Sequence, residues 1–316
     1  MRLVKAILLR LLFGAFSLFF ISFVTFVAGE FAPGDPATII GGEKASLETV
    51  RLIRHNLGLD QPWPSRYVRY VDHAVHGDFG VSYYGIHEPV RDIIARTLPM
   101  TVKLATLAML LAASFGIFFG ALAAVYQRRF LDKSILTIST LGVTTPNFVL
   151  GPILVYVFCQ RLDQLPNSWS TTLVAPEIVY FILPVAILSA RPAALITRLT
   201  RASMIDTLDQ EFIRTAVAKG VPRGRLLFRH ALRNAILPVI TTIGTSFGFL
   251  LTGSFVIERY FLMPGLGSAV IEGIQQINMP VVQAGVLVTG AMFIFLNLVV
   301  DILLPILDPR IRESQI

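Results

Sequence analysis

Apolar residues in this chain come in long unbroken runs, set apart by charged stretches. Charge-free runs cover 11–29, 104–127, 134–160, 235–257 and 277–300. Crossing about 30 Å of hydrocarbon takes roughly 20 helical residues at about 1.5 Å each. Each of these runs is therefore read as a transmembrane helix. A sixth, weaker run starts at Ile178, contains Pro184 and meets Arg191, and its apolar pattern continues to about Arg198. Pro146 and Pro152 fall inside the third run, where they should kink it; neighbouring helices can satisfy the freed carbonyls. The pattern predicts an all-α membrane protein with six transmembrane helices. The first run begins with Arg2, Lys5 and Arg10 like a signal peptide, but it is longer than a signal's apolar stretch and five more runs follow.

Two polar segments also read as helical. In 30–97, Ser46 can cap a helix ended by Gly58, Pro64 can start another ended by Gly77, and a third is expected from Glu88 to Arg96. In 200–234, the stretch from Asp209 to Gly220 reads as a short amphipathic helix. It has acidic residues at its start, Lys219 at its end and Gly220 as its stop, with Phe212, Ala216 and Val217 on one face. Pro222 can open a second helix with the basic row Arg225, Arg229 and Arg233, leading into the fifth span.

Composition agrees with the pattern. Only 15% of the 316 residues are charged and mean hydropathy is +0.68, against about 25% charged in soluble domains. The net charge of +7, from 27 Lys+Arg against 20 Asp+Glu, matters through its placement. Basic residues crowd the start of the chain, the turn at Arg128, Arg129 and Lys133, the 200–234 segment, and the tail at Arg310 and Arg312. With six spans these all lie on one side, which the positive-inside rule makes cytoplasmic, together with both termini. The basic excess is thus a topology signal and calls for no nucleic acid. The resulting order is a first helix over 1–29, a mostly helical external segment over 30–97, a five-helix core over 98–308 holding the 200–234 loop, and a cytoplasmic tail over 309–316.

Candidate chemistry is sparse. The single Cys159 excludes an intramolecular disulfide framework. His73 and His76 have helical spacing suited to a metal, but no Cys or further His/Asp pattern completes a ligand set, so no metal is expected. No G-x-x-x-x-G-K-[ST], G-x-S-x-G or H-E-x-x-H motif occurs, and no catalytic residue or cofactor is expected. Asp301 is the nearest thing to a membrane acid, expected at the interface beside Pro305. At the level of residues, the 200–234 loop could be a solvated connector, lie on anionic lipid, or dock in a partner's groove. An ion-gradient transporter is the alternative class. It would show inverted repeats and mid-membrane ionisable residues.

The stretch R-T-A-V-A-K-G from Arg214 to Gly220, followed by H-A-L-R-N-A-I-L-P from His230 to Pro238, resembles the EAA-type loop of ABC importer permeases, in particular the peptide/nickel (dipeptide/oligopeptide permease) family. Gly34-Asp-Pro36, Leu57-Gly-Leu-Asp-Gln-Pro62, Gly77-Asp-Phe-Gly-Val-Ser82, Pro146-Asn-Phe148 and Pro264-Gly-Leu-Gly267 agree in order. Where that family commonly has R-D-Y-P, this chain has Ile277-Asn-Met-Pro280. The resemblance implies a permease subunit of a bacterial inner membrane that moves peptides by alternating access. Its implied partners are a second homologous permease subunit, two cytoplasmic ATPase subunits, an extracytoplasmic substrate-binding protein and the lipid bilayer. It also implies coupling to the ATPase through Arg214, Thr215, Ala216, Lys219 and Gly220, and an external gate region at Glu258, Pro264, Gly265 and Gly267.

Overall fold

A computed structural model describes residues 2–32, 34–42, 45–84, 87–170 and 175–307. The expected tail 309–316, with Arg310 and Arg312, lies outside the described residues. The chain is built of helices: α1 Arg2–Glu30, α2 Pro36–Gly41, α3 Leu47–Asn56, α4 Trp63–Val75, α5 Val90–Val125, α6 Phe130–Thr144, α7 Asn147–Val155, α8 Glu177–Leu208, α9 Glu211–Ala218, α10 Arg223–Arg225, α11 Arg233–Ala235, α12 Leu237–Tyr260, α13 Leu266–Gln275 and α14 Met279–Leu307. Two π-helical stretches, Tyr156–Arg161 and Leu226–Leu232, follow α7 and α10. Among the described residues the only strand-like feature is a bridge between Val81 and Pro89.

Five helices are long and apolar enough to cross a membrane: α1, α5, α8, α12 and α14. The expected third span differs from its prediction. It is a broken pair, α6 and then α7 with its π-helical extension, bent by 106°. Thr145 takes an extended backbone and Pro146, which has no N–H to continue the helical ladder, caps α7.

The spans are also longer than their apolar runs. The helix expected at 88–96 and the span expected at 104–127 are one helix, α5, of 36 residues. Hydropathy stops at Arg91, Asp92, Arg96 and Lys103, but the backbone ladder does not, because charges at a helix end can sit beyond the hydrocarbon. Likewise α8 runs ten residues past Arg198.

The centre of the fold is the pair α5 and α8. Gly116 and Gly120 form a small-xxx-small step on α5. A Cβ at Gly116 would stand 3.0 Å from the Ala193 carbonyl oxygen, and one at Gly120 would stand 2.6 Å from that of Thr197. Only hydrogen at these positions lets the two backbones approach so closely. Leu104, Ala108 and Ala112 of α5, Phe181, Ile187 and Ile196 of α8, and Leu251 and Ile257 of α12 form the core around this contact. α1 packs against α14 outside it. Arg10 and Asp301 form an ion pair across that contact, so Asp301 is held by a basic partner.

The helices of the 30–97 segment follow their sequence signals. Ser46 accepts the Thr49 N–H at 3.1 Å and so caps α3, while Gly58 and Gly77 end α3 and α4 with left-handed φ of 65° and 76°. α4 lies on the end of α1. Tyr67 is buried against Phe19, Phe23 and Phe26, and its hydroxyl shares a 2.9 Å hydrogen bond with Ser22.

Candidate coupling site and gate

The short helix α9 sits at one end of the bundle. Ile213 and Ala216, three residues apart, are buried with Ala124 of α5, Met204 of α8, and Leu226, Ala231 and Ala235. The face grouped in the sequence as Phe212, Ala216 and Val217 is therefore divided. Ala216 is taken up by its own chain, whereas Phe212 and Val217 are 44% and 57% exposed. The apolar Ile213 sets the inward direction, and its i+3 neighbour follows.

Arg214, Thr215, Lys219 and Gly220 are exposed beside Phe212 and Val217. Gly220 has φ +73° and its N–H donates to the Val217 carbonyl, while the Val221 N–H donates back to Ala216. This is the αL stop anticipated from the sequence. The next segment is not a plain α-helix. Leu226 and Ala231 both point inward although five residues apart, the spacing that a π-helical register provides. Arg225, Arg229 and Arg233 remain exposed.

One contact at this end was not anticipated from the sequence. Asp132, almost fully buried on α6, accepts Arg201 Nε at 2.6 Å and Nη2 at 2.8 Å, and also the Arg128 N–H at 2.8 Å. The bidentate pair ties α6 and the α5–α6 turn to the extension of α8 that carries α9. Its only sequence signal is an acid among the basic residues 128–133.

At the opposite end three of the four residues expected at a gate, Glu258, Gly265 and Gly267, come together around one carboxylate. Glu258, on the last turn of α12, is fully buried. It accepts the Ser254 hydroxyl at 2.7 Å and the backbone N–H groups of Gly267 and Ser268 at 2.8 and 3.2 Å. The Leu266 N–H donates to Thr101 Oγ1 of α5 at 2.8 Å. The first N–H groups of α13, which no helix can satisfy internally, are thus held by side chains of α12 and α5. Gly265 is required next to Glu258, since a Cβ there would overlap the carboxylate, while Pro264 is exposed.

Asn278, in the turn from α13 to α14, donates to Ser82 Oγ at 2.8 Å and accepts the Tyr83 N–H at 3.1 Å. It occupies one of the three motif positions at which the sequence departs from R-D-Y-P, and it latches the 30–97 segment to the turn before α14. The histidines gather no metal set. His73 pairs with Asp78, His76 with the Asp72 carbonyl, and no group of three ligands occurs among the described residues.

Residues 116–313 match the family described as binding-protein-dependent transport system inner membrane component, and residues 3–105 match the N-terminal domain described for such membrane components. The chain belongs to this permease family. The permease is 40% identical over 296 residues to the glutathione transport system permease protein GsiC of Escherichia coli strain K12, covering 94% of this chain and 95% of the relative. The same figures hold for the GsiC of Shigella dysenteriae serotype 1. A solved amino acid ABC transporter aligns with a TM-score of 0.49 and 18% identity over 69% of this chain and 94% of its own.

This permease is a multi-pass inner-membrane transport subunit. The ATPase activity of such systems resides on partner chains, and a binding protein serves them. Its two sites lie at opposite ends of α5. Thr101 meets the Glu258 cluster and Ala124 the α9 cluster, separated by 23 residues or about 35 Å of helix.

Proposed function

We propose that this permease imports small peptides of about the size of glutathione, by alternating access driven by ATPases that grip α9. In the assembled importer it pairs with a second, similar permease, two ATPase subunits bind the α9 side, and the binding protein delivers cargo at the α13 side. The α9 side, with both termini, faces the cytoplasm, in line with its basic residues. The peptide cargo is supported by the similarity to glutathione permeases across most of the chain.

The observation that carries the mechanism is the continuity of α12. The π-helical segment that packs against α9 leads through the single turn of α11 and Ile236 into α12, whose last turn carries Glu258, which holds α13. A displacement of α9 by an ATPase therefore reaches the outer gate along one run of consecutive helical segments. The Asp132–Arg201 pair makes α6 move with the α8 extension. The bend at Pro146, and Pro184 within α8, which leaves one backbone carbonyl of the ladder free, give the path wall room to reshape. Arg214, Thr215, Lys219 and Gly220 edge the docking face with Phe212 and Val217 at its centre, and Ala216 holds that face from behind.

Purification of the co-expressed complex tests the docking. Phe212→Asp puts a charge on an exposed position, so the chain should insert normally and yet lose its ATPase subunits. Retention of the ATPases at wild-type stoichiometry would refute docking at α9.

A further inference from the structure

Arg191 stands in the middle of α8, a helix long and apolar enough to cross a membrane. The packing of α8 on α5 sets its depth. The Ala193 carbonyl lies against Gly116, which is 13 residues from Lys103 and nine from Val125, the last residue of α5. Those stretches are about 20 and 14 Å of helix. Lys103 is paired with Glu177 at one charged level, and the turn after α5 carries Arg128 and Arg129 at the other. Arg191 is two residues from Ala193 on the Glu177 side, so it lies about 17 Å from each level. That is the middle of a hydrocarbon layer about 30 Å thick.

The chain on either side of Arg191 is packed. The Ala190 carbonyl lies against Gly142 of α6, Pro192 is buried, and Ala193 meets α5. Arg191 itself is exposed and has no ion pair or hydrogen bond among the described residues. Exposed polar groups elsewhere in the spans are cared for locally. Thr137, Thr140 and Thr144 of α6 donate to carbonyls one turn back at 2.9, 2.8 and 2.9 Å, which suits them to lipid. The five N–H donors of a guanidinium have no such outlet. An unpaired charge against lipid at this depth is costly, and a long side chain escapes to the headgroups only from near a helix end. Arg191 therefore faces water or a carboxylate.

Its neighbours on the helix favour a carboxylate that moves. Leu195, Arg198 and Ala202 follow at i+4, i+7 and i+11 and are all exposed, so with Arg191 they form one stripe from mid-membrane towards the α9 end. The stripe holds two cations, and no acid occurs between Arg191 and Asp206. A single fixed acid of a second permease would match one of the two arginines. A carboxylate passing along the helix meets both in turn. An arginine keeps its proton, so the stripe is no proton relay.

We propose that Arg191 lies on the wall of the water-filled path through the importer and receives a carboxylate of the peptide halfway across. The proposal rests on the import of peptides by alternating access given above, and it makes Arg191 a residue that selects for anionic ends during passage.

The test reads the path with thiol reagents, on the complete complex in nanodiscs, with the permease carrying Cys159→Ser and Leu195→Cys. Leu195 is one turn from Arg191 on the same stripe, whereas Ile182 stands about 180° round the helix. A water-soluble anionic methanethiosulfonate should modify Leu195→Cys faster than its cationic counterpart, and neither should modify Ile182→Cys. Arg191→Gln should lower the anionic-to-cationic rate ratio at Leu195→Cys about tenfold, and Arg191→Lys should keep it. An arginine neutralised by an acid of the second permease predicts a ratio that Arg191→Gln does not move. That result, or no modification of Leu195→Cys, overturns the proposal. ATP-driven glutathione uptake is measured in parallel on complexes with the native Leu195. Arg191→Gln should lower the maximal rate about tenfold and leave half-saturation, set by the binding protein, unchanged. Unchanged uptake in Arg191→Gln overturns the carboxylate contact. A wild-type complex that imports no glutathione, with a rate ratio that still responds to Arg191→Gln, sinks the cargo reading and supports the anion-attracting path.

Discussion

The Glu258 carboxylate accepts the Gly267 N–H at 2.8 Å, so a fully buried acid on the last turn of α12 serves as the cap of α13. Glu258→Ala would leave the N–H groups of Gly267 and Ser268 without this acceptor, while the Ser254 hydroxyl keeps the Leu251 carbonyl. Each buried orphan costs about 1–3 kcal/mol. Hydrogen exchange at the Gly267 and Ser268 amides should rise at least tenfold and transport should fall. Glu258→Gln, which keeps one acceptor oxygen, should lie between. Unaltered exchange in Glu258→Ala would mean that α13 is held by other contacts.

Asp132 and Arg201 give a second prediction. Removing one partner of a largely buried, bidentate pair costs on the order of 3 kcal/mol, because the other charge stays behind without compensation. Asp132→Ala should therefore uncouple α6 from α8. In the purified complex the stimulation of ATP hydrolysis by cargo-loaded binding protein should drop several-fold. Arg201→Lys should not restore it, since an ammonium cannot make the two-pronged contact. Full stimulation in Asp132→Ala would show that α6 follows α8 without the pair.

Much of the architecture was legible in the sequence because hydropathy and helix stops are local signals. Ser46, Gly58, Gly77 and Gly220 each do what their residue type requires. Pro146 marked a break in the third span, but its 106° bend is set by packing partners that no local window contains. α5 and α8 outrun their apolar stretches because charge ends a hydropathy run without ending a helix. Asp132 gains its role only from Arg201, 69 positions away, and the Glu258 cluster is completed by Thr101, 165 positions from Leu266. The inward turn of Ala216 depends on Met204 and Ala231, and the π register that aims Ala231 is silent in residue periodicity. Asn278 was noted only as a departure from a motif; its contact lies 196 residues back, at Ser82.

At α9, the proposed coupling helix, three substitutions should part company. Gly220→Val must hold a β-branched residue at φ +73°, where a Cβ meets nothing within 4 Å, so the cost of roughly 1–2 kcal/mol is backbone strain alone. Ala216→Glu drives a charge into the cluster of Ile213, Met204 and Leu226 and should open the loop itself. Phe212→Asp should leave the loop closed. Limited trypsin cleavage at Arg223 and Arg225 reads the difference. Rapid cutting is expected in Ala216→Glu, moderate cutting in Gly220→Val and wild-type cutting in Phe212→Asp. Equal cutting in all three would remove the distinction between the inner and outer faces of α9.

The latch at Asn278 should act at the opposite end only. Asn278→Ala leaves the Tyr83 N–H without its acceptor and removes the donor to Ser82 Oγ, which keeps only its bonds to Tyr84. Exchange over 81–84 should quicken while the ATPases still co-purify. Loss of the ATPases in this variant would indicate misfolding of the whole bundle and contradict a local latch.

Uptake of radiolabelled glutathione by proteoliposomes holding the complete complex tests the central claim most directly, with binding protein outside and ATP enclosed. The account predicts accumulation that requires ATP hydrolysis and the binding protein, persists when ionophores collapse proton and sodium gradients, and disappears in Phe212→Asp. Uptake that continues without ATP and stops on adding ionophore would contradict it.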